Sequence, residues 1–141
     1  MRLYCQLGSG ERLDGMTASL RCEIFPSDLE ATARFYTEVL GFRITRDGRQ
    51  EGIRYLALER GTVQLGAAYR PAPPQRGSRR PPIGVELVLE VEDLLAERDR
   101  VAEAGWPVEE EITERPWGLQ DFRLLDPDGY YWRLTTRAKN G

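Results

Sequence analysis

Two separate stretches of the chain repeat the same order of structural signals. The first, IFPSDLEATARFYTEVLGF, occupies residues 24–42, and the second, LEVEDLLAERDRVAEAGW, occupies residues 89–106. Each begins with a strand-like segment, continues with an Asp-Leu pair typical of a helix start and ends with a glycine followed by an aromatic residue. Such a repeat indicates that one supersecondary unit is used twice.

Alternating apolar and polar side chains predict strands around each of the two helices. In the first copy we expect strands at 20–25, 42–45, 53–59 and 63–69 and a helix at 28–40; in the second, strands at 84–91, 106–112, 120–125 and 130–136 and a helix ending at Gly105. The fold class is therefore predicted to be α+β, with two tandem β-α-β-β-β modules.

Changes in composition divide the chain into five segments. Residues 1–17 are glycine-rich with little periodicity and are predicted to form an N-terminal extension; 18–70 form the first module, and 83–137 the second. Between the modules, the sequence PAPPQRGSRRPP at 71–82 predicts a Pro/Arg-rich linker. Residues 138–141 are a tail. A chain of 141 residues with 40% hydrophobic content supports one core, so we expect one domain overall.

The densest local pattern is the segment TERPWGLQDFRLLDPDGYYWRLT at 113–135. Its Gln120–Leu125 part alternates in polarity, and DPDG supplies proline near the start of a turn and glycine where a positive φ is needed. Strand-forming residues then follow from Tyr130. The segment is predicted to be a hairpin, with Trp117 between proline and glycine at its mouth.

Charge and residue types exclude several classes of function. The net charge of −3 argues against a nucleic-acid-binding domain, which would show a positive excess. The chain has no histidine, so the commonest general base and the commonest metal ligand are both missing. Neither Cys5 nor Cys22 has a second cysteine nearby in the sequence, so both are expected to be reduced thiols.

No segment of the sequence has the features of a membrane or export signal. No apolar run approaches the roughly 18 to 20 residues that a membrane span needs. The N-terminus lacks the basic start and apolar centre of a signal peptide. We therefore expect a cytoplasmic protein with no membrane partner and no nucleic-acid partner.

The repeat, together with FYTEVLGF and LLDPDGYYWRL, resembles the vicinal oxygen chelate superfamily, the glyoxalase and bleomycin-resistance group. The resemblance covers about residues 19–137, and ERPWG..DFRLLDPDG is similar to the corresponding segment of bleomycin-resistance proteins. It implies paired modules whose curved mixed sheets enclose a cleft. It also implies a homodimer, since a second subunit often completes the cleft by exchanging a module or an arm.

Enzymes of this superfamily hold a divalent metal with His and Glu side chains, and the resemblance gives four corresponding positions here. They are Arg21, Gln64, Glu86 and Arg133. Arginine is a permanent cation without a lone pair for a metal. The resemblance with these replacements therefore implies no bound metal, no other cofactor and no catalytic residue.

The resemblance also implies which residues face the cleft: Arg21, Glu23, Phe25, Glu86, Tyr131 and Arg133. The charged members are interpreted in two ways, as a salt-bridge network that fills the former metal site or as groups that orient a polar ligand. Trp117 corresponds to a tryptophan that lies beside a flat heteroaromatic ligand in the resembling proteins. We expect it to stack on the ligand.

Three functions follow from these expectations. The first is a non-catalytic small-molecule-binding protein of the bleomycin-resistance type, which confers antibiotic resistance by sequestering a planar, partly charged natural product, aromatic or glycopeptide-like. The second is a metal-dependent lyase, isomerase or dioxygenase with an atypical site built on Glu86 and Glu23. The third is a structural dimer whose charged network fills the cleft without a ligand.

Overall fold

The computed structural model describes residues 18–52, 54–71 and 82–137. The predicted N-terminal extension at 1–17, most of the linker predicted at 71–82, and the tail at 138–141 lie outside these ranges. So does Ile53, where one strand was expected to begin. The segment boundaries therefore stay predictions.

The first module is a four-stranded mixed sheet with one helix. Its elements are β1 (Arg21–Ile24), α1 (Leu29–Arg34), β2 (Arg43–Gly48), β3 (Tyr55–Arg60) and β4 (Val63–Ala68). The strand order is β1-β4-β3-β2, with β1 parallel to β4 and the other pairs antiparallel.

The second module repeats this arrangement. Its elements are β5 (Leu87–Val91), α2 (Leu94–Glu103), β6 (Glu110–Glu114), β7 (Gln120–Leu125) and β8 (Tyr131–Thr136). The order β5-β8-β7-β6 has the same parallel pair at one edge and the same antiparallel pairs elsewhere. The α+β class and the tandem β-α-β-β-β modules are therefore confirmed.

Side-chain caps start both helices where the sequence predicts them. The Asp28 carboxylate accepts hydrogen bonds from the backbone N–H groups of Glu30 and Ala31, and the Asp93 carboxylate accepts one from that of Ala96. After each helix the chain turns at a glycine with positive φ, Gly41 at 72° and Gly105 at 71°. Both signals of the repeat thus act at helix ends.

Four predicted elements differ in detail. The strand expected at 42–45 continues to Gly48, and the strand expected at 84–91 begins only at Leu87. The helix expected at 28–40 is α-helical only to Arg34 and continues as a π-helical segment, Phe35–Val39, in which Phe35, Tyr36 and Val39 are all buried. The wider turn places both adjacent aromatic rings in the core. The strand expected from Trp106 begins only at Glu110, because the Trp106 indole turns inward and donates a hydrogen bond to the Leu125 carbonyl.

The two modules share one core on the helix side of their sheets. The Tyr36 ring contacts Phe42 at 5.8 Å and Trp132 at 6.0 Å between ring centres, and Phe35 contacts Trp106 at 4.9 Å. The contacts of Tyr36 with Trp132 and of Phe35 with Trp106 join side chains from both modules. None of the described helices is long and apolar enough to span a membrane.

The DPDG turn between β7 and β8 also joins the modules. The Tyr36 hydroxyl donates a 2.6 Å hydrogen bond to Asp126, and the Ser27 hydroxyl donates one of 2.7 Å to Asp128. The Phe25 backbone N–H donates to the Tyr130 hydroxyl at 3.1 Å. Burial raises the pKa of Asp126 to about 6, although its hydrogen bonds act in the opposite direction. The turn therefore holds the second module against the first.

Candidate functional site

A cavity of about 250 Å³ lies between the edge strands β1 and β5 of the two sheets. Its walls are mostly apolar and aromatic, and Glu23 is the one charged lining residue in the part of the chain that is described. The lining residues are Cys22, Glu23, Ile24, Pro82, Ile83, Val85, Leu87, Tyr130 and Tyr131. Mostly apolar walls with a few polar groups are the usual form of a small-molecule site.

Two donors fix Glu23 at the wall of this cavity. Arg21 Nε and the Tyr55 hydroxyl each donate a 2.7 Å hydrogen bond to Glu23 Oε2. Tyr55 reaches across β4 to do so, since β4 lies between β3 and β1. Gly66 on β4 makes the contact possible, because a Cβ there would collide with both the Tyr55 hydroxyl and the Glu23 carboxylate.

Tyr55 stays a hydrogen-bond donor at neutral pH. Burial, together with the hydrogen bond to Glu23, raises the pKa of Tyr55 to about 12. Both hydrogen bonds to the carboxylate end on Oε2, and Oε1 receives none from any residue within the described ranges. One carboxylate oxygen of Glu23 is therefore available to a ligand.

The exposed face of the second sheet carries a network of arginines and carboxylates. The fully buried Asp121 accepts hydrogen bonds from Arg115 Nε at 3.0 Å and Arg123 Nε at 3.3 Å. Arg133 Nη2 lies 3.1 Å from Glu86 Oε1. Burial opposes the charge of Asp121, but the hydrogen bonds and charges of Arg123 and Arg115 outweigh it and lower the pKa. This is the arrangement that the salt-bridge interpretation expects.

Sequence reasoning missed four residues of these two groups: Tyr55, Arg115, Asp121 and Arg123. The alternation along β7 offered a signal for two of them, because Asp121 and Arg123 share the face of the sheet that carries Arg133. Tyr55 gave no local signal. Its contact depends on the order of three strands, which neighbouring residues in the sequence do not reveal.

The four positions that correspond to metal ligands in the superfamily form two pairs. Arg21 and Gln64 are register partners on β1 and β4, and Arg133 binds Glu86. Among the described residues, no three His, Cys, Asp or Glu side chains are grouped so as to hold a metal ion. A guanidinium offers no lone pair, and Glu86 is already engaged by an arginine. These residues do not fit the divalent metal of the superfamily's enzymes.

The three aromatic residues predicted to contact a ligand lie in different places. Tyr131 lines the cavity. Phe25 follows β1, and the Arg70 guanidinium lies over its ring at 4.2 Å from the centre. Trp117 stands in the loop between β6 and β7, where it is 58% exposed.

Trp117 and Tyr131 lie toward opposite ends of the β7–β8 hairpin. Leu125 pairs with Tyr131 at one end of β7, and Gln120 stands at the other end beside the Trp117 loop. The strand between them spans roughly 17 Å of extended chain. A compact ligand in the cavity therefore does not reach Trp117.

Solved structures with the same architecture support the description of the fold. TioX from Micromonospora sp. ML1 superimposes with a TM-score of 0.70 at 19% identity, over 86% of this chain and 100% of that one. A bleomycin-binding protein complexed with bleomycin gives 0.67 at 24% identity, over 86% and 100% of the two chains. A bleomycin resistance determinant encoded on the transposon Tn5 gives 0.67 at 23%, over 87% and 100%.

The sequence itself identifies the family. Comparison with curated protein sequences gives no match. The family description "Glyoxalase/Bleomycin resistance protein/Dioxygenase superfamily" matches residues 19–134, a range that includes both helices, strands β1 to β7 and most of β8. The paired four-stranded sheets agree with that match. The chain therefore belongs to the glyoxalase/bleomycin resistance protein/dioxygenase superfamily.

Proposed function

We propose that this protein binds a planar, partly charged natural product or antibiotic, aromatic or glycopeptide-like, and sequesters it without changing it chemically. The observation that carries the proposal is the apolar cavity between the two modules, in whose wall Glu23 is the one carboxylate among the described residues. The fold likeness to a bleomycin-binding protein supports the same class. Resistance would follow from mass action, because bound drug is withheld from its target.

The residues around the cavity support binding rather than chemistry. Burial and the neighbouring Glu23 raise the pKa of the Cys22 thiol, which opposes the thiolate that a nucleophile needs. The Tyr55 phenol stays protonated for a related reason. In the second sheet, the Glu86 carboxylate is already paired with the Arg133 guanidinium. Each of these groups is held in an unreactive form or partnered state.

In this proposal Trp117 contacts only a ligand that extends beyond the cavity. Its exposed ring lies about a strand length beyond the cavity, so a compact molecule binds without it. An extended glycopeptide that fills the cavity at one end would reach along the sheet to stack on Trp117. In that case Arg133, which lies on β8 between the two ends and is paired with Glu86, would contact the middle of the ligand.

We also propose that the protein acts in the cytoplasm as a homodimer. Three apolar side chains beside the edge strands β1 and β5 are exposed: Leu20, Ile83 and Val85. Two of them line the cavity, so a second copy that covers them would also deepen the site. Sedimentation velocity should show a dimer in wild type and a shift toward monomer in Ile83→Glu. A monomeric wild type at micromolar concentration would contradict the dimer.

Filling the cavity tests the binding site. We expect Leu87→Trp to weaken binding of bleomycin-like glycopeptides or polycyclic aromatic compounds at least tenfold, measured by isothermal titration calorimetry. Leu95→Trp is the matched control, because Leu95 is an exposed residue of α2 and does not line the cavity. Equal affinities in the two variants would remove the cavity from the proposal.

Recovery of the ligand tests the absence of chemistry. Mass spectrometry of the ligand after incubation with the protein should return it unchanged, with or without added Fe²⁺, Mn²⁺, Ni²⁺ or Zn²⁺. Turnover that depends on one of these metals and disappears in Glu86→Gln would replace the proposal with the enzymatic alternative.

A further inference from the structure

We propose that the carboxylate of Glu23 selects amines for the cavity, so that the ligand is a compact apolar or aromatic body carrying one protonated amino group. This inference rests on the proposed function, because it names the class of molecule that the same cavity takes. It is carried by the position of Glu23 and by the way the sheet is built around it.

Glu23 brings a single charge into an otherwise uncharged wall. The remaining lining positions within the described ranges hold apolar, tyrosine or cysteine side chains. Removing an amine from water costs free energy unless it finds a partner, and a carboxylate supplies a charge-assisted hydrogen bond. A carboxylate ligand would instead face a like charge. The wall therefore favours a cationic donor over an anion.

The Glu23 carboxylate is held in one orientation. Arg21 and Tyr55 both donate to Oε2, which leaves Oε1 without a donor from the described residues. Tyr55 approaches over Gly66, where any side chain would collide with the pair, and Gly66 stands beside Ala57 in register. The small residues of the sheet thus provide the space in which the carboxylate is fixed.

Arg21 does not cancel the charge that a ligand meets. Its side chain is 60% exposed, against 31% for Glu23, so solvent screens the guanidinium more than the carboxylate. Arg21 does not line the cavity, whereas Glu23 does. A ligand within the cavity therefore meets the carboxylate first.

A matched set of probes tests the selection. The three probes share a naphthalene ring and differ in the head group: 1-naphthylmethylamine, 1-naphthalenemethanol and 1-naphthoate. Each is titrated by calorimetry into the full-length protein at pH 7. For wild type we expect the amine to bind about tenfold more tightly than the alcohol and the carboxylate to bind most weakly.

Two variants assign the effect to Glu23. In Glu23→Gln we expect the amine and the alcohol to bind within about twofold of each other. Glu59→Gln should keep the wild-type order, since Glu59 is 32% exposed and paired with Arg43 on the same sheet but lies outside the cavity wall. Gly66→Ala, which displaces the carboxylate without removing it, should reduce the preference for the amine.

The outcomes separate this inference from the proposed function. If the probes bind and Leu87→Trp abolishes binding, but Glu23→Gln keeps the preference for the amine, the cavity is a ligand site and the selection by Glu23 is wrong. The selection is equally wrong if the carboxylate probe binds best. If no probe binds to wild type, or Leu87→Trp changes nothing, the cavity is no ligand site and both proposals fall together.

Discussion

The two exposed sheet faces occupy equivalent positions in the two modules and are built in opposite ways. In the first, Gly66 pairs with Ala57 at the centre of the sheet. At the corresponding register of the second, Arg133 pairs with Arg123. The first face therefore has room above its strands, and the second is filled by charged side chains.

The polar residues beside these central pairs differ in the same way. Tyr55 lies two residues before Ala57 and on the same face, and its hydrogen bond holds the Glu23 carboxylate at the cavity wall. Asp121 has the equivalent place beside Arg123 and is itself buried beneath arginines. The repeat thus preserves the strands and the core side, while one face keeps space above Gly66 and the other is occupied by its own ion pairs.

Removing the buried carboxylate of the second face has the largest expected effect. Arg115, Arg123 and Arg133 lie 2.9, 3.3 and 3.7 Å from the Asp121 carboxylate. Asp121→Ala leaves these three arginines without their shared partner, so the free energy of unfolding should fall by about 3 to 5 kcal/mol. Urea denaturation measures it. On the first face, Tyr55→Phe removes only one hydrogen bond and should cost about 1 kcal/mol. Similar costs for the two variants would break the comparison.

The pH dependence of stability tests whether the arginines set the behaviour of the buried carboxylate on the second face. The second module has another buried carboxylate, Asp126, which is paired with no arginine of the described ranges and whose pKa is raised from 3.8 to about 6. The folded state therefore binds this proton more tightly than the unfolded state. The stabilisation is complete below pH 4 and is lost as the pH rises through about 6, a change of about 3 kcal/mol.

The contribution of Asp121 to stability changes with pH in the opposite direction. Its lowered pKa gives stabilisation that is present above its unfolded pKa and is lost as the pH falls through the folded value. Denaturation should be measured from about pH 2 to pH 8, so that it covers the range below the unfolded pKa of Asp121. We expect Asp126→Asn to remove the decrease in stability between about pH 4 and 6, and Asp121→Asn to remove the loss of stability on the acid side. The same pH profile for both variants would show that the arginines do not set the difference.

Adding one methyl group to the open face has a smaller expected effect. In Gly66→Ala the new Cβ collides with Tyr55 and Glu23, and the free energy of unfolding should decrease by about 1 to 3 kcal/mol. Gly52→Ala is the control, because nothing lies within 4 Å of a Cβ at Gly52. Urea denaturation of both variants checks this; equal stability would mean that the space above Gly66 is not needed.

The smallest expected effect on stability is at the far end of the second face. Trp117 is exposed, so Trp117→Ala should change the free energy of unfolding by less than about 0.5 kcal/mol. Calorimetry should show weaker binding of extended glycopeptides and unchanged binding of naphthylamines. Loss of affinity for the compact probes as well would place Trp117 at the cavity.

The sequence predicts the strands and the helix ends better than the faces. Asp28 and Gly41 act within a few residues of their own positions, so their roles are visible in the local pattern. The role of Gly66 depends on two other strands that meet above it, and this meeting is a property of the sheet. The π-helical segment was not predictable either, because the spacing of the apolar residues around Phe35 and Tyr36 also fits an α-helix.

The charged residues likewise divide into positions that the local sequence predicts and contacts that only the tertiary fold creates. The local offset from the helix start identifies Arg21 and Glu86 as equivalent positions, and alternation places Arg133 on the exposed face. Their partners follow from tertiary register. Arg115 follows β6 directly and reaches Asp121 on β7 across the loop that contains Trp117, next to a strand pair whose register is irregular.

The DPDG turn has one further consequence for assembly. The turn and the adjacent Tyr130 accept hydrogen bonds from the Ser27 and Tyr36 hydroxyls and from the Phe25 backbone N–H, so these bonds join groups that belong to different modules. A first module from another copy of the chain would offer the same three groups in the same geometry. Exchange of modules between two chains would therefore break no bond at this turn that it did not form again, and protein concentration and the chain that connects the modules would set the balance between closed and exchanged forms.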